Sequence, residues 1–240
     1  MKRVCLLTGA SGTLGTAFCR AQADRYDIVA VYRTRPPAVV SQLQRTVDPL
    51  EPGGLPEHAH PVFAVQADLR QEAELARVVE LALARFDRID VVIHAAVQRT
   101  FQPILGGSAL INSAEDQLRL NVVVPLKLAA MVAREFWQRD VQENRARNRS
   151  WINVSSAAAT SLYPGRGQSV YAAAKAAMDM LTRHMADEFR ECGVRVNGIA
   201  PNGFPGIVST ESVIDGLREL DDGTMTGRIL TIGKAGSRLT

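Results

Sequence analysis

Short apolar runs alternate along the chain with longer segments of helical periodicity. Runs rich in β-branched side chains predict strands near residues 3–8, 28–32, 61–66, 90–94, 150–155, 194–199 and 228–232. Segments with apolar positions spaced as on one helix face predict helices near 13–25, 70–86, 113–137, 170–191 and 211–220. Several runs are apolar at consecutive positions, so both faces of the sheet must be covered. The pattern predicts the α/β class, with a doubly wound parallel sheet of about seven strands flanked by helices on both faces.

Two segments depart from this alternation. Residues 35–61 are rich in proline and glycine and predict an irregular excursion with a short helix around 38–46. Residues 142–150 are basic, and we interpret them as an exposed connection into a strand rather than as a binding patch. No internal repeat interrupts the order of elements, so residues 1–240 are expected to form one domain.

Composition narrows the classes of protein to consider. The 240 residues are 46% hydrophobic and 22% charged, and their net charge of +3 is too small to indicate a nucleic-acid or membrane-surface partner. No apolar stretch is long enough for a membrane span or a signal peptide, so a cytoplasmic location is expected. Cys5, Cys19 and Cys192 are widely spaced in apolar surroundings and are interpreted as reduced core thiols, with no metal site.

A glycine-rich turn follows the first predicted strand and leads directly into a helix. It reads Thr8-Gly-Ala-Ser-Gly-Thr-Leu-Gly15. Such a turn lets the backbone approach a pyrophosphate, while the start of the helix offers free N–H groups and a positive dipole end. Glycines also make ordinary tight turns, but the strand before and the helix after favour a Rossmann-type dinucleotide site.

The end of the second strand bears on which dinucleotide is bound. An NAD-binding protein usually has a carboxylate there for the ribose 2′-hydroxyl, whereas this chain has Arg33, Thr34 and Arg35. A guanidinium can hold a 2′-phosphate through charge-assisted hydrogen bonds, so NADP(H) is predicted over NAD(H). The alternative is a solvated basic loop. After the third strand, Asp68 fits a helix N-cap with Gln71 as its capping-box partner, which is compatible with a role beside the adenine ring.

Two further features suggest proton chemistry. Tyr171 and Lys175 lie four residues apart in a predicted helix and therefore on one face. A phenol with an ordinary pKa of about 10 needs a nearby cation to donate a proton effectively at neutral pH, and Lys175 supplies one. The fifth strand ends in Ser155 and Ser156, at the edge of the sheet where ligands bind, and a serine there could hold a substrate carbonyl.

In combination, these motifs resemble the short-chain dehydrogenase/reductase family over nearly the whole chain. The resemblance also covers Asn121 in LRLNVVVPL and the run RVNGIAPNG at 195–203. It implies that Tyr171 is the general acid or base, that Lys175 lowers its pKa and binds the nicotinamide ribose, that Ser156 polarises the carbonyl and that Asn121 holds a water relay. The cofactor-binding residues it implies are Gly9, Ser11, Gly12, Thr13, Leu14, Gly15, Arg33, Thr34, Arg35, Asp68, Leu69, Ala95, Ala96, Tyr171, Lys175, Pro201, Asn202 and Gly203.

Four departures from the family pattern qualify the prediction. Thr13 stands where single-domain members usually have glycine, and His94 stands where they have asparagine, and both variants resemble the family's extended members. His94 could replace the hydrogen bonding of the asparagine, but we interpret it as a satisfied core histidine. Ser156 and Tyr171 are fifteen residues apart, which is longer than usual and leaves Ser155 as a rival. After Thr210 there is room only for a short helix, so the family's substrate-covering loop is expected to be missing.

The function predicted on this basis is NADPH-dependent reduction of a ketone or aldehyde, or the reverse oxidation. The alternative is a sensor or scaffold that binds the nucleotide without turnover. The resemblance also implies a homodimer or homotetramer formed through the helices near 113–137 and 169–191, and the small residues at the start of the second of these allow close approach. Packing on the chain's own sheet would explain the same small residues.

Overall fold

A computed structural model describes residues 2–42, 60–106 and 108–240 of the chain. Its strands form a single eight-stranded sheet in the order β3-β2-β1-β4-β5-β6-β7-β8. All neighbouring pairs are parallel except β7 and β8. The strand bounds are β1 Arg3–Thr8, β2 Tyr26–Tyr32, β3 Val62–Gln66, β4 Val91–His94, β5 Ser150–Val154, β6 Arg195–Pro201, β7 Ile229–Gly233 and β8 Gly236–Leu239.

Helices cover both faces of this sheet, and each face has its own apolar cluster. The helix bounds are α1 Thr13–Ala21, α2 Glu72–Phe86, α3 Ser108–Leu118, α4 Val124–Glu135, α5 Val141–Ala146, α6 Ser169–Glu188 and α7 Thr210–Asp222. Leu128 of α4 and Val78 of α2 are buried in one cluster, while Phe18 of α1 and Leu217 of α7 are buried in the other. The predicted doubly wound α/β fold is therefore confirmed, with one strand more than expected.

The additional strand, β8, closes a hairpin with β7. Its four residues are exposed throughout and include a glycine and no β-branched side chain, so neither apolar alternation nor β-branched content marks it as a strand. Main-chain pairing with β7 holds it at the edge of the sheet.

Three other predictions need correction. The helix predicted over 13–25 ends at Ala21, because Tyr26 is already buried in β2. The helix predicted over 113–137 is a longer assembly in which a π-helical segment, Arg119–Val123, joins α3 to α4. Residues 38–42 are not helical, and the rest of the helix predicted around 38–46 lies outside the described residues.

The segment 142–150 is not the exposed connection that its basic composition suggested. It contains α5, and Arg149 and Asn144 are buried. The Asn144 Nδ2 atom donates to the backbone of Cys192 at 2.7 Å, and the Arg149 Nε atom donates to Asp90 at 3.3 Å. These polar side chains can be buried because each has a hydrogen-bond partner in a segment that is distant in the sequence.

The three cysteines are free and buried, as predicted. In the described ranges no helix is both long and apolar enough to cross a membrane. The same ranges contain no group of three or more histidine, cysteine or acidic side chains arranged to hold a metal ion.

Candidate active site

The glycine turn brings the end of β1 against the loop that follows β4. Gly9 has a left-handed φ of +71°, and a Cβ atom there would lie 2.7 Å from the backbone of Ala95 and Ala96. At Gly15 a Cβ atom would lie 2.5 Å from the Gly9 carbonyl oxygen. Helix α1 starts after Gly12 without a side-chain cap, so its first N–H groups remain available for an anion. The turn therefore has the close approach and the free donors that a dinucleotide pyrophosphate requires.

Thr8 and His94 join the two strands below this turn. The Thr8 hydroxyl accepts from the N–H groups of Ala95 (3.2 Å) and Ala96 (3.1 Å) and lies 3.1 Å from His94 Nδ1. Because that hydroxyl already accepts two hydrogen bonds, its own hydrogen points to Nδ1, which assigns the histidine proton to Nε2. The pKa of His94 is lowered to about 3, mainly by burial and also by the charge of Lys175, while the Leu120 backbone acts in the opposite direction. His94 is the neutral core residue that the sequence suggested, although its Nε2 atom has no close hydrogen-bond partner in the described chain.

A cleft of about 510 Å³ opens at the carboxyl ends of β1, β2 and β4. It is lined by residues of the glycine turn and of the segments after the first four strands: Gly9, Ser11, Gly12, Val31, Tyr32, Arg33, Thr34, Ala67, Asp68, Leu69, Arg70, Ala95, Ala96, Val97, Gln98, Arg99, Thr100 and Leu120. Half of the predicted cofactor residues are in this set, namely Gly9, Ser11, Gly12, Arg33, Thr34, Asp68, Leu69, Ala95 and Ala96. Arg35 is exposed on the same loop but does not line the cleft.

The part of the cleft wall that follows β3 contains an ion pair, Arg70 with Asp68, that was not predicted from the sequence. The Arg70 guanidinium donates to both carboxylate oxygens of Asp68, at 2.9 and 2.6 Å, and lies 3.6 Å from Asp116. The hydrogen bond from Arg70 holds the pKa of Asp68 below its ordinary value. Asp68 does not cap α2, which starts at Glu72; its Oδ1 atom accepts instead from the Arg70 N–H. The predicted capping box is therefore wrong, because a local turn and a guanidinium take up the carboxylate.

The π-helical segment presents Asn121 to the loop that follows β4, residues 95–103, called the cleft loop here. The Asn121 side chain is buried, accepts from the N–H of Gln98 and donates to the carbonyl of Gln98, both at 2.9 Å. One amide thus fixes both polar groups of a single loop residue. Nearby, the buried Gln117 accepts from the N–H of Thr100 at 3.2 Å.

Tyr171 lies in the first turn of α6, facing the end of β5. Its side chain is almost completely buried, and the ring of Phe101 packs edge-on against it with the centroids 5.3 Å apart. Burial raises the pKa of Tyr171, while a hydrogen bond with Ser156 and the charge of Arg99 lower it. The groups that lower this pKa are therefore Ser156 and Arg99, whereas the sequence analysis assigned that effect to Lys175.

Lys175 is buried one turn further along α6. Its Nζ atom donates to the Val154 carbonyl at 2.7 Å and lies 5.9 Å from the centroid of the Tyr171 ring. Burial lowers the pKa of Lys175 to about 8, and the charge of Asp179 opposes this shift. Ser155, the rival to Ser156, donates to the Lys175 carbonyl at 3.4 Å and so faces the helix backbone rather than Tyr171.

The sequence matches a known family over most of its length. The model of the family described as short chain dehydrogenase covers residues 3–216. The chain belongs to the short-chain dehydrogenase family. An NAD-dependent oxidoreductase of Mycobacterium tuberculosis is 31% identical over 208 residues, covering 83% of this chain and 70% of that protein. The L-xylulose reductase of Caenorhabditis elegans is 28% identical over 200 residues, covering 83% of this chain and 70% of the reductase.

A solved relative shares the fold. The short chain dehydrogenase of Leptospira borgpetersenii, crystallised with bound NAD+, superposes with a TM-score of 0.80 at 17% identity, over 98% of this chain and 92% of that one. As a member of this family, the protein is an NAD(P)-dependent dehydrogenase or reductase that acts on a small molecule. The uncapped start of α1 and the cleft beside it fit the nicotinamide cofactor that the family uses.

The connection that follows β6 is short. After β6, eight residues lead to α7, whose apolar side chains pack on the sheet, so α7 is not a covering loop. The Tyr163 hydroxyl donates to Asn202 Oδ1 at 2.7 Å and joins this short loop to the long Ser156–Tyr171 segment. Pro201 is the last residue of β6, and Gly203 follows with a φ of +63°.

Four side chains of the site escaped the sequence analysis: Arg70, Arg99, Phe101 and Tyr163. None belongs to a recognised motif, and each acquires its place through a contact with a distant part of the chain. The two arginines and the phenylalanine follow strands β3 and β4, where ligand-facing residues are expected in a parallel sheet. Their position after these strands was the signal in the sequence by which these three side chains could have been identified.

Proposed function

We propose that this enzyme reduces a ketone or aldehyde to an alcohol with NADPH, and that Tyr171 supplies the proton. The observation that carries this proposal is the grouping at the end of β5 of the buried Tyr171, the buried Lys175, whose Nζ atom lies 5.9 Å from the Tyr171 ring centroid, and Ser156, which lowers the pKa of Tyr171. When bound, the reduced nicotinamide would supply a hydride to the carbonyl carbon. The same site would support the reverse oxidation.

The residues of the site divide the remaining work. The raised pKa of Tyr171 keeps the phenol protonated at neutral pH, so it is ready to donate to a developing alkoxide. Ser156 would donate a hydrogen bond to the same oxygen and so stabilise its charge. With a pKa of about 8, Lys175 is mostly cationic at neutral pH and would bind the nicotinamide ribose. Asn121, which anchors the cleft loop, would hold the water relay behind Lys175.

The cofactor would occupy the cleft from the glycine turn to Arg33, in one domain spanning the chain. Gly9 to Gly15 and the first N–H groups of α1 would bind the pyrophosphate, and Ala95 and Ala96 would line the adenosine side. Arg33 and Thr34 lie on the cleft wall after β2, and their position supports NADP(H) over NAD(H). Asp68 and Leu69 would lie beside the adenine, and Pro201 to Gly203 would line the nicotinamide pocket.

An exposed apolar face supports the proposal of a homodimer or homotetramer. Leu118 and Leu126, at the end of α3 and on α4, and Met180 on α6 are large apolar side chains open to solvent. Ala173, Ala176 and Ala177 of α6 are also exposed. Packing on the chain's own sheet, the other explanation for these small residues, would have buried them. A second copy covering this face would remove the apolar area from water.

Tyr171→Phe tests the chemistry. The variant should lose at least about 1000-fold in kcat on a panel of ketones, because it keeps the ring but removes the proton donor. NADPH binding, followed by nucleotide fluorescence, should change by less than about threefold. Tyr163→Phe, which also removes one phenol hydroxyl near the site, is the matched control and should retain most of the turnover. Equal NADPH consumption by wild type and Tyr171→Phe would remove the proposed acid.

Arg33→Ala tests the cofactor preference. Loss of a guanidinium that binds a 2′-phosphate should weaken NADPH binding about 10- to 100-fold and leave NADH binding within about threefold. Titration of both nucleotides against wild type and variant measures this. Arg35→Ala, on the same loop but outside the cleft lining, is the control. A uniform loss for both nucleotides, or tighter NADH binding by the wild type, would contradict the preference.

A further inference from the structure

The segment that follows β4 places a cation next to the proposed proton donor. Arg99 lines the cleft, and its guanidinium carbon lies 5.8 Å from the centroid of the Phe101 ring. The Phe101 ring in turn packs edge-on against Tyr171, 5.3 Å between centroids and tilted by 68°. The charge of Arg99 also lowers the pKa of Tyr171, which agrees with a short separation between the two groups. Arg99 is therefore at the reactive end of the cleft.

Arg99 differs from the other arginine on this side of the cleft in having no counter-ion. Arg70 is neutralised by Asp68 and Asp116. Within the described ranges no carboxylate lies within ion-pair distance of Arg99, whose side chain is exposed to the cleft and to solvent. The described part of the site thus presents a guanidinium without a carboxylate partner, linked to Tyr171 through the Phe101 ring.

The backbone around Arg99 is fixed on both sides. Asn121 binds the N–H and the carbonyl of Gln98, and Gln117 binds the N–H of Thr100. Further along, the Gln102 N–H donates to the Gly167 carbonyl at 2.7 Å. Anchoring of this kind reduces the entropy that a side chain loses when it binds a ligand.

Arg99 is also separated from the proposed 2′-phosphate position. Arg33 follows β2, Arg99 follows β4, and β1 lies between these two strands in the sheet. The 2′-phosphate therefore does not account for both cations, and the pyrophosphate would have its own donors in the glycine turn and the first turn of α1. A second anion, close to Tyr171, is what Arg99 is placed to bind.

We propose that Arg99 is a substrate-binding residue that selects oxo acids, in which the carbonyl at Tyr171 is joined by a short apolar spacer to a carboxylate. The guanidinium fork matches a carboxylate with two parallel hydrogen bonds, and the spacer would pack on the Phe101 ring. This inference rests on the proposed reductase function, since it assigns a substrate class to the same site.

Matched acid and ester pairs test the selection. The probes are 4-acetylbenzoate with methyl 4-acetylbenzoate, and 5-oxohexanoate with its methyl ester, each with NADPH and the full-length enzyme. Wild type should turn over the better acid with at least about tenfold higher kcat/KM than its ester. Arg99→Gln should lower kcat/KM for that acid about 10- to 100-fold, mainly through KM, and change the ester by less than about threefold. Arg99→Lys should recover part of the loss.

A control arginine separates the local effect from a general change in charge. Helix α4 runs antiparallel to the strands, so Arg134 near its end lies at the opposite edge of the sheet, where it pairs with Glu135. Arg134→Gln should leave both kcat/KM values as in wild type. Equal use of acid and ester by wild type, or an equal loss for both in Arg99→Gln, overturns the proposal.

Two further readouts distinguish the possible failures. NADPH binding should be unchanged in Arg99→Gln, and a weakening as large as that for the acid would make Arg99 a cofactor residue and overturn the proposal. If wild type turns over no ketone, the reductase function fails, and titration of the NADPH-loaded protein with 4-acetylbenzoate by calorimetry decides the remaining question. Binding that is lost in Arg99→Gln supports the carboxylate site, and absence of binding by wild type overturns it.

Discussion

At the scale of single residues, the surroundings of His94 determine its chemistry. The Thr8 hydroxyl satisfies Nδ1, and the Trp151 ring stacks on the imidazole with centroids 6.4 Å apart and a tilt of 15°. The ring is fully buried, so the neutral form is strongly favoured. His94 therefore joins β4 to the glycine turn as an uncharged hydrogen-bonding group.

This arrangement predicts a specific acid sensitivity. His94 in the folded protein has a pKa of about 3, below the 6.5 of an unperturbed histidine. Below pH 6.5 the unfolded chain therefore binds a proton that the folded chain does not, and stability is lost as the pH falls from 6.5 towards 3. Between pH 7 and pH 5, wild type should lose about 2 kcal/mol more unfolding free energy than His94→Asn. Urea unfolding at both pH values measures the difference.

The exposed histidine of α6 provides the comparison. His184→Asn should show the wild-type pH dependence, because this side chain is open to solvent. An identical loss of stability between pH 7 and pH 5 in wild type and His94→Asn would contradict the assignment of His94 as a buried neutral residue.

At the scale of elements, local pattern predicted what local physics determines. The glycine turn and the start of the helix after it were predicted correctly, because strand, turn and helix follow one another in sequence. The end of α3 was not predicted, because the change from α- to π-helical hydrogen bonding over Arg119–Val123 leaves the periodicity of apolar residues almost intact. That extra residue per turn accompanies the placement of Asn121 against the cleft loop, which no single-sequence pattern indicates.

The site shows the same division. Tyr171 and Lys175 share a helix face by spacing alone, so their juxtaposition was predictable. The proximity of Arg99 to Tyr171 depends instead on the loop after β4 meeting the start of α6, more than sixty residues later. Asp68 was assigned to a cap because its sequence neighbours fit one, but the guanidinium of Arg70 competes more strongly for the carboxylate.

At the scale of the whole molecule, the two ends of the parallel strands have different roles. The carboxyl ends form one edge of the sheet, the carboxyl edge, which contains the cleft. The amino ends form the opposite, amino edge, which contains a buried carboxylate, Asp221 of α7. Its side chain accepts from the hydroxyls of Tyr26 and Ser150 at 2.7 Å each and from Arg3 at 2.9 Å. These three residues begin β2, β5 and β1, and Arg195 at the start of β6 donates to the Asp221 carbonyl. One aspartate thus ties four strands to α7 at the edge opposite the active site.

This separation predicts that stability and ligand binding respond independently to a change at Asp221. Asp221→Ala removes the carboxylate partner of the partly buried Arg3 guanidinium and the acceptor of two buried hydroxyls, and should cost about 3–5 kcal/mol of unfolding free energy. The neighbouring Asp222 is half exposed and pairs with Arg25, so Asp222→Ala should cost less than about 1 kcal/mol. Urea unfolding measures both, and Asp221→Asn, which keeps the shape of the side chain, should fall between them.

In each folded variant the NADPH dissociation constant should stay within about twofold of wild type, because the cleft lies at the far ends of the strands. Equal stability of the two alanine variants, or weakened NADPH binding in Asp221→Asn, would mean that the amino edge does not act as a separate structural clamp.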